Sequence, residues 1–398
     1  MRALVITSTF PRYPGDNQPT FILDLAQHLP DTEVTVLAPA DPNAPRDEKI
    51  GDAHILRFRY APFSRWEKLA YGSGMLANLK GKPWLWLVLP LFLVSLCRNI
   101  YRLCLSGRFQ VVHAHWLLPQ GFCAALALSL IPRRNRPKLL VTAHGVDVHS
   151  LNGPIGRMAK RFVMRRADAV TAVSKALAQR LGEVTDQIGK GTVEVAPMGI
   201  AIPEAQVCAE REGFCFVGRF VEKKGLIDLV LAYTMAHSQL DGRMPGLTLA
   251  GDGPLREEVR SLIHKRGIEE HIKFVGWLDH EQVNALIGRS ELLLMPSRRA
   301  ESGDHEGLGL VAVESICLGT PVLAYDFDAL DEIKSLGGGV RAVPEGNIEA
   351  LAAAMVELAE GLDGLTVSEH VIAKARIRFN WVAVGTAYRA RYDAISRP

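Results

Sequence analysis

Two cations five residues apart, two glutamates eight apart and a histidine at a strand end are the groups in this chain whose types and spacing suit them to chemistry. In Phe216-Val217-Gly218-Arg219-Phe220-Val221-Glu222-Lys223-Lys224-Gly225 an apolar run ends and Arg219 and Lys224 follow it. Arg offers a planar fork and Lys a point charge to phosphoryl oxygens, so the pair can close on a diphosphate; solvated surface cations are the plainer reading. The second segment, Ser302-Gly303-Asp304-His305-Glu306-Gly307-Leu308-Gly309-Leu310, leads into Val311-Ala312-Val313-Glu314. Its glycines admit close approach of the backbone to a ligand, and the helix that follows turns unpaired amides and a positive dipole end towards a phosphate. Glu306 falls just outside that N-terminus and Glu314 inside the helix, roughly 12 Å apart were the whole span helical. That separation suits one carboxylate on a sugar's hydroxyls and the other on a ribose, with a diphosphate between. A capping acid and a surface helix residue are the ordinary alternatives.

His144, in Val141-Thr142-Ala143-His144-Gly145-Val146-Asp147, stands where a histidine can donate to a phosphate or a sugar hydroxyl, or act as a base. Asp147 beside it is either a second base or a hydrogen-bond partner of nearby backbone. His113 and His115 read as packing or acceptor-side residues without a catalytic role. Gly15, in the loop after the first apolar run, can bring an amide to a phosphate, though a surface loop with Pro11, Pro14 and a glycine is equally ordinary.

These segments need strands to hold them. Short β-branched runs alternate with helix-length stretches, the pattern of parallel α/β sheets. Strands are predicted at residues 3–7, 34–38, 111–114, 139–143, 169–173 and 193–196, and again at 214–217, 247–250, 273–275, 292–295 and 321–325. The fold class is therefore α/β, with two Rossmann-like doubly wound domains facing a cleft, because ligands of open sheets sit beyond the carboxyl ends of the strands. The division predicted is residues 1–200, residues 201–378 and a closing helix at 379–398, with a hinge near 197–213. The 398-residue length supports two domains, and 48% hydrophobic with 22% charged residues fits an ordered globular chain.

The net charge of +3 conceals an asymmetry. Residues 1–200 hold 25 Lys and Arg against 14 Asp and Glu, the remainder 21 against 29, and between His54 and Arg166 the count is 18 against 2. Such a block attracts anions. The six cysteines (97, 104, 123, 208, 215 and 317) form no Cys-x-x-Cys pair, so neither a disulfide framework nor a zinc site is expected. Met1-Arg2 followed by Leu4-Val5-Ile6 reads as a first strand rather than a leader, which makes the expected location cytoplasmic.

In this order and spacing the segments resemble the retaining glycosyltransferases of family 4 with the GT-B fold, over nearly the whole chain. The resemblance implies that Glu306 and Glu314 are the paired glutamates, that Arg219 and Lys224 clamp a pyrophosphate, and that His144 lines the donor sugar. It also implies that the amides of Gly307, Leu308, Gly309 and Leu310 hold sugar and phosphate, that Leu278 lies by the base and that Gly15 contributes an amide. Catalysis then falls to His144, Arg219, Lys224 and Glu306. Two departures stand out: Gly15 is followed by Asp16 where the family often has a second glycine, and Pro197-Met198-Gly199-Ile200-Ala201 stands for Pro-Asn-Gly-Val-Asp, so no polar contact is carried to Met198. The implied co-substrate is a nucleoside-diphosphate sugar carrying a hexose-type residue, the acceptor lipid-linked or a saccharide. The product belongs to surface polysaccharide or glycoconjugate assembly. No cofactor and no metal are expected, on the reading that the chain has no Asp-x-Asp motif to hold a divalent ion and that two cations and a helix N-terminus can neutralise the diphosphate.

Residues 60–107 set Phe63, Trp66, Tyr71, Trp84 and Trp86 among Arg65, Lys68, Lys80, Lys82, Arg98 and Arg102, the makeup of an interfacial element. The first domain is accordingly expected to dock peripherally on an anionic membrane surface. The uncharged run Trp84–Cys97, 14 residues interrupted by Pro90, is read as too short to span a bilayer; a buried helix at residues 85–105 is the alternative. A GT-B nucleotide-sugar epimerase accounts less well for both charged sets. Gly251-Asp252-Gly253-Pro254-Leu255-Arg256 lacks the third glycine of a dinucleotide fingerprint, and no nucleic-acid-binding module is recognisable.

Overall fold

A computed structural model describes the chain apart from residues 17, 73, 187–191, 202–209, 302, 304, 362–363 and 398. The middle of the expected hinge, residues 202–209 with Cys208 among them, and Ser302 and Asp304 of the glutamate segment therefore lie outside the described residues. The chain divides into two compact units, Met1–Gly199 with Trp381–Pro398, and Ile200–Asn380.

The first unit is built on eight strands, β1 (Arg2–Ile6), β2 (Glu33–Pro39), β3 (Asp47–Ile50), β4 (Ala53–Phe58), β5 (Val111–His115), β6 (Lys138–Ala143), β7 (Ala169–Ala172) and β8 (Glu194–Val195). Their order is β3-β4-β2-β1-β5-β6-β7-β8, parallel except for β3 against β4. Ala3, Leu4, Val5 and Ile6 are fully buried, as a strand covered on both faces requires. The antiparallel β3–β4 pair was not expected. Asp47-Glu48-Lys49-Ile50 is too charged to register as an apolar run, yet an edge strand with one exposed side tolerates that composition. Arg57 of β4 is buried against the Glu48 carboxylate at 2.7 Å and the Pro11 carbonyl at 2.8 Å.

The helix Trp381–Ser396 belongs to this unit. Tyr388 and Tyr392 are fully buried; the first donates to the Ala196 carbonyl at 3.0 Å and the second pairs with His113 Nδ1 at 2.8 Å. Gly385 is required by contact, because a Cβ there would lie 1.9 Å from the His28 carbonyl oxygen.

The second unit holds six parallel strands, β9 (Phe214–Val217), β10 (Leu247–Ala250), β11 (Ile272–Gly276), β12 (Leu292–Met295), β13 (Val322–Asp326) and β14 (Val340–Pro344), in the order β11-β10-β9-β12-β13-β14. β14 is the further strand that the apolar runs did not reveal, since Arg341 interrupts it. A core including Phe216, Phe220, Leu229, Tyr233, Leu249 and Tyr325 packs the flanking helices onto the sheet.

The aromatic run of the first unit is longer than its sequence suggests. A 3-10 turn at Pro83–Leu87 continues into the α-helix Val88–Leu105, making a 23-residue helical segment that is long and apolar enough to cross a membrane by length and composition alone. Arg98 and Arg102 do not end it, because they sit on its outer face. Leu85, Val88, Phe92, Leu96, Ile100 and Cys104 are buried inside the unit, whereas Trp84, Trp86, Leu87, Leu91 and Val94 are exposed. One face is thus core, as the alternative had it, and the other carries aromatic and aliphatic side chains in solvent.

Candidate active site

In the second unit the segment after β9 turns through a short 3-10 helix, Glu222–Lys224, and ends at Gly225. Gly225 has φ +66°, and a Cβ there would stand 1.9 Å from the Pro296 carbonyl oxygen, so only glycine lets this turn lie against the chain beyond β12. The turn sends Lys224 back across Gly218, whose added Cβ would be 3.5 Å from Lys224 Cε. Lys224 Nζ then donates to Glu306 Oε2 at 2.6 Å, joining positions 82 residues apart. Arg219, on the same loop, is exposed.

Glu306 precedes the helix Leu310–Cys317 by four residues, with Gly309 at φ +73° as its N-cap. Residues 306–309 are not helical, so the helical ruler between the two glutamates does not apply. Among the described residues no group accepts from the amides of Gly307, Leu308, Gly309 or Leu310. Those donors face the positive end of the helix dipole's field, a setting that favours an anion. Leu278 is half-buried immediately after β11, next to the capping box of Asp279 and Gln282.

The carboxylates occupy opposite electrostatic states. Burial would raise the Glu306 pKa, but Lys224 and Lys223 outweigh it and hold the group at about 2, an anion at any working pH. Glu314 is pushed up to about 7 by burial, against the smaller pull of His280 and Lys224. Around them, Arg298 Nη1 donates to both carboxylate oxygens of Asp228 at 3.0 and 2.9 Å, and Glu345 accepts from the Arg299 amide at 2.6 Å, so the loop leading to Glu306 is fixed at its start. Sequence reasoning missed Lys223, His280 and the Arg298–Asp228 pair; of these only Lys223, adjacent to Lys224, carried a local signal.

Glu314 sets a stability prediction with a definite sign. Its folded pKa lies above the ordinary value of 4.5, so the protonated group costs nothing below about pH 4.5 and stability falls as pH rises towards 7. The cost above pH 7 is on the order of 3 kcal/mol. Glu314→Gln should melt with the native protein at pH 5 and a few degrees higher at pH 8; equal melting at both values would contradict the assigned state of the group.

In the first unit His144 follows β6. Its Nε2 pairs with His115 Nδ1 at 2.9 Å, and its ring packs against Phe21, Trp116 and His115. Burial holds His144 at about 3 and His113 at about 3, the latter also through His144, so the cluster is neutral. His113 bridges Tyr392 at 2.8 Å and Thr142 Oγ1 at 2.7 Å, a packing role. His115 is more than packing, because it fixes which His144 nitrogen faces inward. Asp147 accepts from the amides of Leu117, His144 and Gly145 at 2.7, 3.1 and 3.0 Å. The backbone role therefore describes it, and Gly145 at φ +118° permits the turn.

Gly15 lies exposed at φ +78° with nothing near its missing Cβ. Asp16, where a second glycine is common, grips Arg12 through Nε at 2.8 Å and Nη2 at 2.7 Å, which stiffens the loop. Met198 is buried, and Gly199 makes room for the Trp381 ring, 2.6 Å from where a Cβ would sit.

No group of three or more His, Cys, Asp or Glu is gathered as a metal site among the described residues. The expectation that the chain has no Asp-x-Asp motif is wrong, because Asp326-Phe327-Asp328 has that spacing. Asp326 Oδ1 is bound by Lys334 Nζ at 2.7 Å.

Comparison with known proteins gives the same outline. Residues 18–202 match the family described as Glycosyltransferase Family 4, and residues 201–372 that described as Glycosyl transferases group 1. The chain is 28% identical over 312 residues to the glycogen synthase of Mycobacterium tuberculosis, covering 73% of this chain and 70% of that one. It is 28% identical over 267 residues to a GDP-mannose-dependent alpha-(1-6)-phosphatidylinositol monomannoside mannosyltransferase of the same organism, covering 63% and 68%. Among solved structures, Anabaena HepE in complex with UDP superposes with a TM-score of 0.70 at 18% identity, over 99% of this chain and all of that one.

Proposed function

Because the chain belongs to the family 4 glycosyltransferases with the GT-B fold, we propose that it moves a hexose-type sugar from a nucleoside diphosphate to a hydroxyl of a lipid-linked or saccharide acceptor, keeping the anomeric configuration. The observation that carries this reading is the Lys224–Glu306 pair at 2.6 Å beside the unspent amides of Gly307–Leu310. It sets a cation for a diphosphate next to an anion for sugar hydroxyls. HepE was crystallised with UDP, and the mannosyltransferase relative is named for GDP-mannose and phosphatidylinositol monomannoside, which supports a nucleotide-linked donor and leaves a lipid acceptor open.

In this reading Arg219 and Lys224 take the negative charge that builds on the departing phosphate, and the helix N-terminus adds its amides. Glu306, held anionic, accepts from the sugar; Glu314 accepts from the ribose, and Leu278 packs near the base. His144 is uncharged and offers a sugar hydroxyl one donor or one acceptor. Asp147 is spent on three backbone amides, so no carboxylate of that loop is proposed as a nucleophile. The C1–O bond to phosphate breaks, the acceptor oxygen bonds to C1 on the same face, and the leaving phosphate oxygen takes the acceptor proton.

Metal independence belongs to the same proposal, because protein cations supply the countercharge. With a panel of nucleoside-diphosphate sugars, one donor should raise the melting temperature and release nucleotide slowly, at the same rate in excess chelator. Loss of turnover with chelator and its return with Mg²⁺ or Mn²⁺ would overturn this part and direct attention to Asp326 and Asp328. The peripheral membrane location is proposed on the exposed Trp84, Trp86, Leu87, Leu91 and Val94 with Lys80, Lys82, Arg98 and Arg102 around them.

A further inference from the structure

Cys97 and Cys123 are 26 residues apart, a spacing that carries no motif, and the fold brings them face to face. Cys97 lies on the helix Val88–Leu105 and Cys123 near the start of the helix Phe122–Ser129, and the two helices pack together. Each thiol reaches the other helix. Cys97 Sγ donates to the Cys123 carbonyl and Cys123 Sγ to the Leu93 carbonyl, each at 3.7 Å. Leu93 is one turn before Cys97, so its carbonyl is the acceptor that an α-helix gives the Cys97 amide. Cys123 Sγ therefore sits beside the Cys97 backbone and Cys97 Sγ beside that of Cys123, and the two thiols also hydrogen-bond one another. Small side chains permit so close a seam: Ala127, one turn beyond Cys123 on the same face, is buried.

The two thiols differ in reactivity. Cys97 is half-buried, whereas Cys104, Cys123, Cys215 and Cys317 are buried. The hydrogen bond with Cys123 holds the Cys97 thiol below its ordinary value, and the same bond, with burial, pushes Cys123 up. Burial pushes Cys104, Cys215 and Cys317 up to about 12. Thiolate character and access decide which cysteine attacks first, and both favour Cys97 among the described cysteines. A reachable thiol poised on a buried one is the arrangement of a dithiol that closes on itself. The seam also joins two functional regions. Phe122–Ser129 follows directly on the Leu117–Gly121 turn, where Asp147 holds the Leu117 amide at 2.7 Å, and Trp116 just before it packs its ring 4.9 Å from that of His144.

We infer that Cys97 and Cys123 form a reversible disulfide by exchange with a low-molecular-weight disulfide such as oxidised glutathione, pinning the helix with the exposed apolar face to the one that leaves the His144 neighbourhood. In the first step the Cys97 thiolate attacks one glutathione sulfur, the glutathione S–S bond breaks, and the departing glutathione takes a proton. Cys123 Sγ then bonds to Cys97 Sγ and expels the second glutathione, whose sulfur receives the Cys123 proton. The protein loses two electrons, and one disulfide is reduced to two thiols. The test incubates the native protein with oxidised glutathione, counts thiols in denaturant and maps peptides without reduction. Thiols should fall by two from six, the intact mass should fall by two hydrogen atoms, and a peptide linking Cys97 to Cys123 should appear and then vanish with dithiothreitol. Cys97→Ser should form no bridge, and Cys123→Ala should retain one glutathione on Cys97. Mapping of the native protein decides the pairing even where a variant fails to fold. The bridged protein should melt several degrees above the reduced one, because the closed loop restricts the unfolded chain. Survival of all six thiols, a stable glutathione adduct on native Cys97, or a bridge that includes another cysteine would overturn the pairing. Melting at or below the temperature of the reduced protein would overturn the pinning.

Discussion

Replacing Lys224 by Ala should lower kcat by about 10²–10³, the usual loss when one preorganised donor to developing charge is removed. The effect comes from two sources. The diphosphate loses a cation as its leaving oxygen gains charge, and Glu306 loses the partner that holds it at about 2. Burial then acts on Glu306 with less opposition, so its pKa rises, and the activity of the variant should gain an acid limb absent from the native protein. Lys224→Arg should recover part of the rate, because charge survives but a fork replaces a point charge. Steady-state nucleotide release across pH measures all three. Native kcat in Lys224→Ala would remove Lys224 from the chemistry.

Gly251→Ala should be among the most damaging single substitutions. Gly251 has φ +130°, and a Cβ there would lie 1.9 Å from the Gly218 carbonyl oxygen and 3.3 Å from the Phe220 ring. The strand ends meet in a lattice of backbone bonds, Gly218 to Ala250 at 3.0 Å, Phe220 to Asp252 at 2.9 Å and Gly251 to Gly276 at 2.7 Å. None can shift cheaply. Overpacking and a forced left-handed backbone each cost about 1–3 kcal/mol, so a loss of about 2–5 kcal/mol and a fall of about 5–15 °C in Tm follow. The same geometry explains why Gly251-Asp252-Gly253 resembles a nucleotide-binding turn without its third glycine: the glycines admit the loop that carries Arg219. Unchanged melting would contradict the close packing.

How much of this was legible beforehand depended on whether the cause was local. Buried parallel strands such as Leu292–Met295 and Leu139–Ala143 are apolar because both faces are covered, and they stand out in the sequence. Asp47–Ile50 did not, since an exposed edge obeys no such rule. The Trp84–Cys97 run was measured short because Arg98 looked like an end, whereas a helix half in solvent carries arginine on its outer side without breaking. Lys224 and Glu306 were legible singly, as a cation after a strand and an acid before a helix. Their contact was not, because it depends on Gly225 lying against Pro296, a long-range packing fact. His115 looked structural because nothing in Val111–His115 reveals its hydrogen bond to His144 from the next strand.

A sugar that leaves its nucleoside diphosphate with its configuration kept must appear first as the same anomer. Proton NMR following the anomeric signals during slow turnover of the donor, before mutarotation scrambles them, should show the new C1 signal in the donor's own configuration, in chelator as without it. A first-formed product of the opposite configuration would contradict same-face departure and put a nucleophile or base where none has been assigned.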